Sequence, residues 1–70
     1  MTASEIAYSI VNYHWPPIAA DMGEIDAVDL YDHWAGGRPL EGGHELGAAM
    51  IVDVVAEMIR LNGGSETFIP

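Results

Sequence analysis

Apolar residues recur along this chain in three blocks, each with the spacing of a helix buried along one side. In the first, Ala3, Ile6, Ala7, Ile10, Tyr13 and His14 share a stripe with Val11 at its margin, and Glu5, Ser9 and Asn12 lie opposite. Thr2 and Glu5 stand at capping-box spacing, where each side chain satisfies a backbone N–H at the other's position, and Met1 and Ile6 occupy the staple positions. Pro16 and Pro17 set the end, because the residue before a proline is pushed out of the α region. The pattern predicts a helix over residues 3–14.

The second block places Ala27, Leu30, Tyr31 and Trp34 at i, i+3, i+4 and i+7, with Asp26, Asp29, Asp32 and His33 on the other side. Asp21 and Glu24 repeat the capping-box spacing, with Ala20 and Ile25 as the staple. Gly36-Gly37 offers a left-handed end. A helix over 22–35 follows.

Between Leu46 and Leu61 only Asp53, Glu57 and Arg60 are charged, and they fall on one narrow arc of a helical wheel. A helix apolar over the remaining two-thirds needs neighbours on several sides. "MIVDVV" alone could be a strand, but the distance between flanking glycine pairs suits a helix better. "RPLEGG", residues 38–43, reads as the loop before it, Gly43 or a neighbour as its cap, and Gly63-Gly64 as its close.

The predicted fold is therefore mainly α: a small three-helix domain, 1–70, whose hydrophobic C-terminal helix (44–62) is central, followed by a short extended tail in which "ETFI" is strand-like. A chain this short buries only about 60% of its unfolded surface, so coverage of the third helix is critical. Two arrangements supply it. One is a homodimer through residues 44–62, with close approach at Gly43, Gly47 and Ala48; the other folds "SETFIP" back as a lid with Phe68 and Ile69 over the gap.

Charge adds the first hint of function. Eleven acidic residues face only Arg38 and Arg60, for a formal net charge of −9. Such a surface repels nucleic acid and anionic membranes and attracts basic proteins. Half the residues are apolar, so the chain is not a disordered acidic tail. No secretory signal is visible, and the greasy segment falls short of the roughly 20 apolar residues that span a bilayer. The absence of cysteine excludes disulfides and thiolate metal sites and fits a cytoplasmic setting.

Catalytic patterns are missing. There is no Cys or Lys, no G-x-S-x-G elbow, and neither GxGxxG nor GxxxxGK; a chain this small leaves little room for a concave pocket. The expectation is a non-enzyme without cofactor. His14, His33 and His44 are the only imidazoles. Asp29 and His33 at i, i+4 could supply two metal ligands, and His44 a third if its loop folds back, but no metal spacing such as HExxH occurs and no metal site is expected. His14, on the apolar stripe, reads as a half-buried neutral ring bonded to a carbonyl, with a pH-sensitive contact as the alternative.

The strongest lead is a run of carboxylates. Asp21, Glu24, Asp26, Asp29 and Asp32 lie within twelve residues with no cation among them, the last three stacked along one side of the predicted helix. A solvated face would explain them, yet like charges at i, i+3 cost helix stability, and mixed charge would give solubility without that cost. "YHWPP" adds Tyr13 and Trp15 at a rigid corner, either as interface anchors or, for Trp15, as a seal on the core. A small, Lys-free, strongly acidic domain resembles, in size and charge, phage-encoded inhibitors such as anti-CRISPR proteins and other DNA mimics. That resemblance implies a protein-binding module and carries no residues over; the carboxylate run and the aromatic corner themselves point to Asp21, Glu24, Asp26, Asp29, Asp32, Tyr13 and Trp15 as the residues that meet the basic surface of a nucleic-acid-binding partner, with no direct contact to nucleic acid or membrane. The alternatives are a structural protein assembling through hydrophobic helices and a small metal-binding protein.

Overall fold

The capping box forms as its spacing requires. Thr2 N–H donates to Glu5 Oε1 at 3.0 Å and Glu5 N–H donates to Thr2 Oγ1 at 3.2 Å, opening helix α1, Ala3–Ser9. Ile6, Ala7 and Ile10 are closed off from solvent as the stripe predicts. The staple is looser than expected, because Met1 is 78% exposed.

The first helix does not stop at the prolines. In the computed structural model, which describes residues 1–36 and 47–70, α1 runs into a π-helical turn, Ile10–His14, and on into α2, Trp15–Met22. The Trp15 N–H reaches back five residues to the Ile10 carbonyl. Pro16 and Pro17 then stand in the first turn of α2, where a missing N–H is harmless and a fixed φ suits the helix. The wider turn is one of the few ways to carry a helix past a proline, whose ring otherwise crowds the carbonyl four residues back.

This has a second effect. One inserted residue rotates everything downstream by about 100° relative to an ideal helix. The buried line therefore runs Ile6, Ile10, Trp15 instead of Ile6, Ile10, Tyr13; Tyr13 is 70% exposed and His14 half-buried.

The expected Asp21–Glu24 capping box, with its Ala20–Ile25 staple, is not formed. Both Asp21 and Met22 belong to α2, which ends at Gly23 with φ +69, a left-handed value suited to glycine. Ile25 is instead buried in a two-residue strand, β1 (Ile25–Asp26), and the next helix, α3 (Ala27–Gly36), begins five residues later than its predicted start. Its apolar stripe is as predicted: Ala27, Leu30 and Tyr31 are buried, Trp34 half-buried, and Asp26, Asp29, Asp32 and His33 face out.

Helix α4, Ala48–Leu61, starts at Gly47 without a side-chain cap. The predicted residues 44–46, the Gly43 cap, Gly37 and the "RPLEGG" loop lie outside the described residues. At the far end the Gly64 N–H donates to the Ile59 carbonyl at 2.9 Å, with Gly63 and Gly64 both at positive φ. α4 packs on α1, the π turn and α3. The wrap is partial, which corrects the picture of an enclosed helix. Val54 and Met58 are fully buried, Met50, Ile51, Val55 and Ile59 half-buried, and Val52 66% exposed.

The C-terminal tail folds back beside β1. Strand β2, Thr67–Phe68, pairs antiparallel with β1 in the register Ile25↔Phe68 and Asp26↔Thr67. Phe68 is 1% exposed, but Ile69, its expected partner in the lid, is 70% exposed. Alternation along an extended chain accounts for this, since neighbouring side chains point to opposite faces.

Candidate functional site

The acidic residues are placed by three elements and the bend between two of them. Asp21 lies in the last turn of α2, Glu24 in the bend after Gly23, Asp26 in β1, and Asp29 and Asp32 on α3. All five are exposed. The reason is local: Ala27, Leu30 and Tyr31 pull one side of α3 into the core, so positions three apart on the other side face outward. Among the described residues the ion pair present is Arg60–Glu57, 2.8 Å apart on α4, so none of these five carboxylates is neutralised by a described cation.

The later start of α3 changes the energetics of that row. Asp26 now immediately precedes the helix and Asp29 lies in its first turn, where the positive end of the helix dipole favours a carboxylate. Asp32 has no such compensation. Asp21 stands at the carbonyl end of α2, in a last turn without a basic residue, where negative charge is disfavoured. Asp32 also acts at a distance: the Tyr31 phenol is held above its ordinary range first by burial and second by the neighbouring Asp32 charge.

Of the two aromatic candidates, Tyr13 is presented to solvent and packs edge-on to exposed Tyr8 with ring centroids 6.0 Å apart. Trp15 is 9% exposed and meets Phe68 in the core, so it seals the interior and is withdrawn from the surface.

The structure brings together two residues that sequence reasoning kept apart. His14 Nε2 and His33 Nδ1 are 2.9 Å apart, with ring centroids at 5.1 Å. The His14 ring thus meets a second imidazole, a contact the sequence reading did not name. Only the π turn gives His14 this aim, and nothing in the spacing of residues 14 and 33 announces it. Asp29, four residues before His33, lies on the same exposed side of α3. Among the described residues no group of three or more His, Cys, Asp or Glu converges as a metal site; His44 lies outside them.

A shallow depression on α1 is lined by Met1, Ser4, Glu5, Tyr8 and Ser9. Glu5 is its one carboxylate, held below the ordinary range by the Thr2 backbone N–H and then the Thr2 side chain. It lacks a nucleophile–base pair. No described helix is long and apolar enough to cross a membrane.

Neither a protein-family model, nor a curated protein, nor a solved structure matches the chain.

Proposed function

We propose that this protein is a non-catalytic binding module that docks its acidic α2–α3 face on a basic surface of a nucleic-acid-binding protein, acting as an inhibitor by charge mimicry. The observation that carries this reading is that Asp26, at the end of β1, and Asp29 and Asp32, on α3, are all exposed while the other side of α3 is buried, with no described cation neutralising them. Carboxylates held on a firm scaffold can occupy the Lys/Arg positions that phosphates otherwise fill. Asp21 and Asp32 add weight, because both stand where helix energetics disfavour or fail to reward a carboxylate. Tyr13, the aromatic candidate that stays at the surface, packs edge-on to exposed Tyr8 and is available to a partner.

The test replaces Asp26, Asp29 and Asp32 together by Lys, and in parallel by Asn. Capture of a basic partner in a salt-stepped pull-down should vanish for the Lys variant and fall for the Asn variant, while circular dichroism retains the helical signal. Wild-type complexes should dissociate sharply toward 0.5 M salt, where the screening length falls to about 4 Å. Undiminished capture by the Lys variant sinks the proposal.

A second reading has its own support. Val52 is 66% exposed on a helix whose Met50, Ile51, Val55 and Ile59 are only half-buried, and a second copy packed there would make the protein a homodimeric assembly element. A salt-insensitive dimer in sedimentation, with no affinity for basic proteins, would favour it.

A further inference from the structure

We infer that His14 and His33 form a chelating site for a divalent late-transition-metal ion, with zinc, nickel or copper as the chemical class. The inference stands apart from the acidic-docking proposal and uses different atoms.

Two imidazole nitrogens from separate elements face one another at 2.9 Å across the junction of the π turn and α3. A metal bound by both rings at about 2.0–2.1 Å sets its two nitrogens roughly 2.9 Å apart in a square or octahedral arrangement and roughly 3.3 Å apart in a tetrahedral one. The observed separation matches the first value; the two nitrogens now share a hydrogen bond, so to bind metal each ring turns its lone pair toward a common point beside the line between them.

His33 is exposed and His14 half-buried, so the pair offers one adjustable and one anchored ligand. Both lie within helical segments of the chain, which fixes their Cβ positions in the way a chelate needs. Asp29, one turn before His33 on the same side, raises the local negative potential without being a ligand in this geometry.

The proton balance is simple. In the neutral pair one facing nitrogen donates its N–H and the other accepts. For both to bind metal, the donor ring moves that proton to its other ring nitrogen, and no net proton is released. From the imidazolium form one proton leaves per charged ring, so acid competes with metal. Two protein ligands completed by water describe an exchangeable site rather than a structural one.

The experiment titrates zinc into the wild-type protein near pH 7.5 and follows the ring nitrogens of His14, His33 and His44 by long-range 1H–15N NMR. The expected result is a concerted shift of the His14 and His33 ring nitrogens, lost in His33→Gln and in His14→Gln, reversed by chelator, and not produced by magnesium. Shifts confined to His44, to carboxylates, or persisting in His33→Gln would overturn the assignment, as would unchanged His14 and His33 signals at millimolar zinc. The wild-type titration decides the matter even if a variant folds poorly.

Discussion

Trp15 meets Phe68 edge-on, with ring centroids 5.7 Å apart and planes inclined by 72°. These residues come from opposite ends of the chain, and neither reaches the other without a second device: the π turn that rotates Trp15 inward and the strand pairing that seats Phe68 opposite Ile25. Edge-to-face geometry is the favoured arrangement for two aromatic quadrupoles and adds to what burial alone contributes.

Phe68→Ala should therefore lower unfolding stability by about 3–5 kcal/mol in urea denaturation, the usual range for removing a buried phenylalanine. A single core of this size supplies only about 3–5 kcal/mol in all, so the variant should be largely unfolded at room temperature. A loss below about 1 kcal/mol would mean that the tail is not part of the cooperative core.

The inserted residue in the π turn makes a contrasting pair of predictions. Trp15→Ala should be strongly destabilising, in the same range of about 3–5 kcal/mol, and Tyr13→Ala nearly neutral, within about 0.5 kcal/mol as for other exposed sites. An uninterrupted α-helix through residues 3–14 predicts the reverse order, because Tyr13 would then continue the Ile6–Ile10 line. Thermal melts of the two variants side by side distinguish the alternatives.

Asn62 holds the tail in register. Its Nδ2 donates to the Ser65 carbonyl at 3.0 Å and to the Thr67 carbonyl at 2.8 Å, just after α4 ends and beside the Gly63-Gly64 turn. Asn62→Ala should cost about 1–2 kcal/mol through the partly buried bond to Thr67. Asn62→Asp should cost more, because it turns a carboxylate toward two carbonyl oxygens. Hydrogen exchange of the Ala27 amide, which donates to the Glu66 carbonyl at 2.8 Å, should accelerate in both.

Alkaline behaviour follows from Tyr31. Burial, with Asp32 adding to it, raises its phenol above the ordinary range, so the folded state keeps the proton longer than the unfolded chain does. The stability linked to that proton is fully present below the unfolded pKa and is lost as pH rises through the folded one. Ultraviolet titration should show a late phenol step that disappears in Tyr31→Phe and moves down only slightly in Asp32→Asn, because burial is the larger cause. A large downward shift in Asp32→Asn would reverse that order.

Much of this was legible in one dimension, because it depends on contacts three or four residues long. The Thr2–Glu5 box, the Ala27–Leu30–Tyr31 stripe with its aspartates outward, and the Gly63-Gly64 close of α4 each follow from helical periodicity and backbone hydrogen bonding within one or two turns. The mainly helical class and the outward aspartates are consequences of that local physics.

What the linear order left open was decided by groups far apart in the chain. Pro16 and Pro17 permit two outcomes, a stop or a widened turn, and burying Trp15 against Phe68 favours the second. Once the helix continues through Asp21, Gly23 becomes its end, Ile25 is free to pair with Phe68, and α3 must start at Ala27. The same rotation brings His14 to His33, nineteen residues away. Short-range hydrogen bonds write the helices into the sequence; which of two tolerable local geometries survives is settled by the apolar surface that each one removes from water.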